Sequence, residues 1–470
     1  MKKKFRPIFL QRTGLILLLL AALPARPAIF STIITNGPAT NRVNLVFFSE
    51  GYTNGQLAKF LSDATNAANA FFRVQPYAEY SNYFNVFAIF TNSAHAGSTH
   101  LNVQAYSSGY TYFNSTYAAA SDYIITIPPN PSDSANSHGQ GKIDSLLQTY
   151  LPATNNDLAA LLVNDGVPGG SDNYGNTAIT SIPNVSYILI HESGHALGRL
   201  GDEYDSAYPG YPDIEEPNTT TNTSFAQIKW NAWISTNTPL PTPETFTYEF
   251  TVGLFEGAHY HPTNWYRPYY DCCMRSFGYA DFCPVCLETL VRATYGKVRP
   301  LENHSPATNS LTVTNSQWLT FSLNLLQPST HDLNVQWLTN NIAVGDATNP
   351  VFNLSPAQLG NGTNKVEADV WDATALVRTD AKNYLKQTNI WMFNVSTTVM
   401  QIDTLTWLTN GSFSFRVTGS APSSVVIQLS TNLLQWTPVQ TSSLSSGKFF
   451  YTNAGAKAFP KRFFRAKTPP

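Results

Sequence analysis

The sequence predicts an α/β domain followed by two all-β modules. Two observations carry this expectation. Across residues 41–299 apolar side chains recur now at helical and now at strand spacing, whereas from about residue 305 onward short alternating apolar and polar stretches are separated by Asn, Thr, Gly and Pro. Composition agrees with the β-rich second part: only 12% of residues are charged while 13% are aromatic, a mix that disfavours long solvated helices. A chain of 470 residues also has room for about three domains. With 28 Lys and Arg against 30 Asp and Glu, the net charge of −2 argues against a polyanion-binding protein, and so against nucleic acid as a partner.

The first 28 residues read as a signal peptide. Lys2, Lys3, Lys4, Arg6 and Arg12 precede the aliphatic run 15–23, and Pro24-Ala25-Arg26-Pro27-Ala28 supplies small residues for cleavage. An uncleaved anchor helix is the rival reading, but the run is short of the ~20 residues of a membrane span and two prolines close it. The chain is therefore expected to be secreted, extracellular or periplasmic, with no membrane span after cleavage.

In residues 29–304, 43–48 reads as a buried strand, 54–72 as a helix with apolar residues at helical spacing, and 84–90 as a second strand. Segments 123–127 and 159–163 read as two further strands with a helix over 143–151 between them, which completes an α/β order. Residues 305–398 fit an Ig-like β-sandwich with strands at 318–323, 333–337, 365–370 and 390–395. Residues 399–470 fit a small β module with strands at 413–417, 425–429 and 462–466. The basic end of that module, Lys457 to Lys467, reads better as a core strand with snorkelled charges than as a patch for an anionic surface. These modules are expected to contribute location, cell-surface or glycan contact, or capture of large substrates.

Chemistry concentrates at His191-Glu192-Ser193-Gly194-His195. Histidines four apart on a helix share a face one turn apart, so both imidazoles reach one ion, while Glu192 faces a water on that ion as general base. With 9 His and 12 Glu among 470 residues, about 0.004 such pentapeptides are expected by chance. A catalytic zinc takes a third protein ligand and keeps a position for water. Gly198 is suited to end the helix and turn the chain back. Asp202 is then the preferred third ligand and Glu203 the second choice, and a surface acidic loop is the plain alternative.

All four cysteines, Cys272, Cys273, Cys283 and Cys286, lie within fifteen residues. In an exported chain, local disulfides are the preferred reading, with the pairing open; the Cys283-Pro284-Val285-Cys286 spacing also suits a structural zinc. Met274, between Cys273 and Arg275, lies outside any helical stripe, and its soft unbranched side chain suits the floor of a metal site or plain core. Neither a GxSxG elbow nor a signature Cys/His arrangement points to an acyl-enzyme.

The run from His191 to Tyr204 resembles the HExxH and Asp-Glu-Tyr signature of the M64 peptidases, the family named for an IgA peptidase. Segments 49–53, 82–86, 254–258, 266–268, 273–276 and 282–286 are similar to family segments too, so that the resemblance spans about residues 41–296. It implies a metzincin-like zinc endopeptidase with one catalytic Zn²⁺, a protein or peptide substrate, and Met274 in the place of the Met-turn beneath the metal. A tetrahedral oxyanion needs a donor besides zinc, and of the residues crowding 259–269, Tyr266 and Arg267 are the first candidates. The stretch 164–170 followed by 177–180 is similar to the strand and exposed edge above the metal in zincins, an edge able to bind an extended peptide. Two other readings remain: a catalytically inactive adhesion or glycan-binding protein on the same scaffold, and hydrolysis of a non-peptide amide or ester.

Overall fold

The computed structural model describes residues 28–100, 111–117, 123–127, 139–152, 157–173, 177–276, 281–314, 317–396, 400–419, 424–444 and 447–468. Apart from Ala28, the leader expected at 1–28 lies outside them. The chain is mostly β-sheet with few helices. Its first part opens with β1 (Ile29–Ile34), β2 (Val43–Glu50), α1 (Leu57–Phe71) and β3 (Phe84–Phe90). Three two-residue strands, β4 (Thr99–His100), β5 (Thr116–Tyr117) and β6 (Ile125–Thr126), form a small separate sheet. There follow α2 (Gly139–Tyr150), β7 (Leu158–Val163), β8 (Gly170–Asn173), β9 (Thr177–Ser181), α3 (Val185–Gly198), the hairpin β10 (Phe255–Ala258) and β11 (His261–Arg267), and α4 (Pro284–Tyr295).

The main sheet has the order β1-β3-β2-β7-β9-β8. Its four inner strands are parallel, and both edge strands run antiparallel to their neighbours. Parallel strands need helical crossovers that cover the faces, and β2, β3, β7 and β9 are accordingly buried along their whole length. Alternation splits them between two cores. Leu45 and Phe47 face α1, α3 and α4 through Phe60, Phe71, Leu189, Ile190 and Leu290, while Val46 and Phe48 face Ile143 and Leu147 of α2. The 3-10 turn Asn54–Gln56 that leads into α1 starts from a capping box in which the Thr53 amide donates to Gln56 Oε1 at 2.8 Å.

The strand expected at 123–127 does not enter the main sheet. Ile125 and Thr126 pair with β5, and Ile124 makes a single parallel bridge to Gly170 of the edge strand β8, because the place beside β7 is taken by β9. Beyond residue 300, two sheets of three and five strands enclose a core containing Phe321, Trp337 and Trp391. Strand Ser310–Thr314, parallel to Lys386–Ser396, adds to the four expected there. The last 70 residues form two three-stranded sheets around Phe415, Val417, Ile427 and Tyr451, with Phe464 of the last strand packed on them. In that strand Arg465 donates to Gln428 at 2.9 Å and covers the Trp436 ring. Among the described residues no helix is long and apolar enough to cross a membrane.

The first β module packs into the α/β part. Leu385 is buried in its core, and Asp372, buried, accepts from the hydroxyls of Tyr80 at 2.7 Å and Tyr295 at 2.6 Å while lying 2.8 Å from His331 Nε2. Replacing Asp372 by Ala strips two buried phenols of their shared acceptor. The expected loss is about 3 kcal/mol, read from the shift of the denaturant unfolding midpoint, with Asp372→Asn losing less because an acceptor oxygen remains.

Candidate metal centre

Helix α3 follows β9 through a 3-10 turn at Ile182–Asn184 and is buried along most of its length against the sheet, α1 and α4. Tyr77 fixes its rotation by a 2.7 Å hydrogen bond between hydroxyls with Ser193. The two imidazoles and Glu192 open instead into a cleft of about 1200 Å³. His191 Nδ1 donates to the Cys273 carbonyl at 2.9 Å and His195 Nδ1 to the Leu200 carbonyl at 2.7 Å. Those bonds set the tautomers and leave the two Nε2 atoms 3.2 Å apart, lone pairs inward.

The third group arrives by a chain reversal. Arg199 takes a left-handed conformation (φ 53°), so the turn residue is Arg199 and not Gly198. Gly198 serves a different need, since a Cβ there would lie 2.9 Å from Leu290 of α4. The reversed chain brings Asp202 Oδ1 to 3.1 Å from His191 Nε2 and 3.5 Å from His195 Nε2. That oxygen is buried and makes no hydrogen bond of sound geometry. Glu203, the second choice, points away into the cysteine cluster.

The hairpin β10–β11 props this segment from outside. Its two-residue loop, His259-Tyr260, has positive φ at both positions (55° and 58°), the form that fits hairpin twist but strains residues with a Cβ by about 1–3 kcal/mol each. Compensation is visible in the contacts: the His259 amide donates to the Asp202 carbonyl at 3.0 Å, the Tyr260 amide to the Tyr204 carbonyl at 2.8 Å, and the Tyr260 hydroxyl to Asp202 Oδ2 at 2.7 Å.

Electrostatics register the same convergence. Burial alone would favour neutral imidazoles, but the Asp202 carboxylate outweighs it, holding His191 well above the ordinary histidine range and pushing His195 up to about 10. For Asp202 the opposing effect of burial is overcome by the two imidazoles, which hold it below the usual carboxylate range. A positive charge is what these three atoms require. Two imidazole nitrogens and a carboxylate oxygen, one of them without a hydrogen bond, form a donor set that fits a divalent metal ion.

Met274 is fully buried directly beneath the helix: a Cβ on Gly194 would come within 2.7 Å of its Sδ and 3.1 Å of Phe282. The oxyanion donors expected at Tyr266 and Arg267 are not in the cleft. Arg267 is wholly buried, donating to the carbonyls of Glu256 at 2.7 Å and Gly257 at 2.6 Å and to Glu244 at 2.7 Å, and Tyr266 is bridged to Thr220 in a sheet-like pairing. Both serve the β10–β11 hairpin. Of the five tyrosines that line the cleft, Tyr204, whose ring stacks 6.1 Å from His191, and Tyr260, which donates to Asp202, are the ones tied to the three donor groups. Tyr260 stood in the crowded 259–269 stretch; Tyr204 carried no signal beyond its place after Asp202 and Glu203.

The expected disulfides are also absent. Cys272, Cys273, Cys283 and Cys286 are free and buried, and the sulfurs of Cys272 and Cys286 lie 3.9 Å apart, far outside the ~2.05 Å of a disulfide bond. Cys273 stands apart from the other three and supplies its carbonyl to His191. The sheet edge beside the cleft is β8 itself, with Gly170 and Ser171 among the lining residues, while 177–180 forms the next strand in.

The sequence model of the family described as IgA Peptidase M64 matches residues 32–251 and 246–294. No curated protein matches the chain. Among solved structures, the apo form of β-glucuronidase 3 from Bacteroides uniformis is 11% identical, covering 38% of this chain and 26% of that one at a TM-score of 0.15. A chain from a chaperone–tip adhesin complex of CFA/I fimbriae biogenesis is 7% identical, covering 36% of this chain and 100% of that one, again at 0.15.

Contact between Gly194 and Met274 is open to a direct check. Gly194→Ala is expected to cost about 1–3 kcal/mol in denaturant unfolding, because the added methyl meets Met274, Phe282 and Leu200 at once. Combined with Met274→Ala, the loss should fall short of the sum of the two single losses, and strict additivity would mean that the two do not touch.

Proposed function

Because the chain belongs to the IgA Peptidase M64 family, we propose that it is a secreted zinc-dependent endopeptidase on a metzincin-like α/β scaffold, with His191, His195 and Asp202 as zinc ligands and Glu192 as general base. The convergence of those three donor atoms on one point, with Glu192 lining the same cleft, carries the reading. Zinc, when bound there, would lower the pKa of a water to about 7 and polarise the scissile carbonyl.

Glu192 takes the proton of the attacking water and returns it to the leaving amine. Asp202 keeps its charge through the two imidazoles and is oriented by the Tyr260 hydroxyl. Tyr204 is the candidate donor to the developing oxyanion: burial, then the charges of Asp202 and Glu192, raise its pKa, so the phenol keeps its proton. Strand β8, beyond the Gly170 bridge to Ile124, is the candidate edge for an extended substrate, and the exposed Tyr123, Ile124 and Tyr187 at the rim of the cleft offer apolar contact to its side chains. Met274, packed under Gly194 of the helix, would serve as the Met-turn beneath the metal.

Glu192→Gln should lower cleavage of an unfolded protein substrate by about 10²–10⁴-fold with metal content unchanged. Retained activity, or full metal content in His191→Ala/His195→Ala, would overturn the reading. The raised histidine pKa values set the sign of the pH dependence. Protons occupy the metal-free site, so zinc must displace them, and apparent affinity should fall by about 10- to 100-fold per pH unit on acidification from roughly pH 8 to 6, measured by chelator competition. Stability of the metal-free chain should run the other way, since the charged imidazoles contribute fully below about pH 6.5 and that contribution is lost as pH rises toward 10.

A further inference from the structure

Glu203 and three of the four cysteines meet a few residues from the cleft, on its inner side. The ligating atoms of Glu203, Cys272, Cys283 and Cys286 all lie within 4.8 Å of one another, and all four residues are buried. We propose that these four residues bind a second zinc ion, structural in role, that ties the loop after α3 and the Met274 turn to the start of α4.

Three observations support the site. First, two of the six ligand–ligand distances match a tetrahedron: with Zn–S of about 2.3 Å and Zn–O of about 2.1 Å, sulfur–sulfur edges should be roughly 3.8 Å and sulfur–oxygen edges roughly 3.6 Å. The Cys272–Cys286 sulfurs are 3.9 Å apart, and Cys286 Sγ is 3.7 Å from Glu203 Oε1. Second, Glu203 Oε2 is buried without a hydrogen-bond partner, while Asn218 fixes Oε1 from 2.9 Å. A carboxylate so placed is expensive unless something charged meets it. Third, the main chain is arranged for thiolates. Cys283 caps α4 with Pro284 behind it, its amide donates to Cys272 Sγ at 3.3 Å, and Cys286 falls in the first turn of a 12-residue helix, where the dipole favours negative charge.

Three thiolates and a carboxylate exceed the charge of one Zn²⁺ by two. The α4 terminus and the nearby Arg267, which interacts with Glu203 through space, offset part of that excess. On binding, the thiols release their protons to solvent, and no oxidant or reductant is involved. The ion touches no substrate. It is a positioning element: Glu203 adjoins Asp202 and its amide donates to the Met274 carbonyl at 2.9 Å, and Cys272 adjoins Cys273, whose carbonyl orients His191.

The test uses the full mature chain purified without chelator or reductant. Expected zinc content is two per chain, one for each cluster, falling to one in His191→Ala/His195→Ala and to one in Cys283→Ser/Cys286→Ser. Cobalt substitution distinguishes the two centres and does not depend on the Cys variant folding. Only this cluster has sulfur ligands, so thiolate-to-Co²⁺ charge-transfer absorption should persist in His191→Ala/His195→Ala. An intact mass showing a disulfide among Cys272, Cys283 and Cys286, or a cobalt-loaded chain without those bands, would overturn the site, and neither result would touch the reading of the His191 cleft.

Discussion

Three atoms that each carry a lone pair toward the others cannot rest together without a positive charge between them. The Nε2 atoms of His191 and His195, 3.2 Å apart, and Asp202 Oδ1 beside them impose that constraint, and the surrounding structure is arranged to resist their mutual repulsion. The carbonyls of Cys273 and Leu200 lock each ring from behind. The left-handed Arg199 returns the chain, and the strained His259-Tyr260 turn holds the returning segment through three hydrogen bonds. Strain in the hairpin and electrostatic tension in the site thus sit next to each other, each over-determined by packing that costs the rest of the fold little.

Burial of the supporting helix makes this possible. Helix α3 lacks the polar face of a surface helix because sheet, α1 and α4 enclose it, and its glycines reflect that crowding: Gly194 admits Met274 and Gly198 admits Leu290. A helix so enclosed has little room to rotate, which holds the two imidazoles toward a shared point. The β module that follows is not a loose appendage to this frame, since Asp372 accepts from Tyr80 and Tyr295 inside the buried face that also carries α1 and α4.

What the sequence made legible was local. The His191–His195 spacing reports one helical turn, and Asp202 lies close enough along the chain for a single reversal to bring it home. The parallel strands 43–48, 84–90 and 159–163 announce themselves as apolar runs because both of their faces are covered. Non-local partnerships stayed hidden. Arg267 looked available until Glu244, Glu256 and Gly257 were seen to enclose it, and nothing near Glu203 in the chain hints that Cys272, Cys283 and Cys286 converge there. Strand Thr437–Ser443 escaped notice for a physical reason as well, because it is polar and largely exposed and so lacks the alternation that marks a buried face.

The short strand β8 is the last of the main sheet and borders the cleft, with Gly170 bridged to Ile124, and a strand edge reads peptide groups and not side chains. Under the proposed function, a target lying along this strand must surrender several consecutive residues from its own helices or sheets. Linkers, hinges and frayed ends satisfy that condition and compact domains do not. For a peptidase of this design, where a protein is severed would be decided less by its letters than by how readily each stretch of it comes undone.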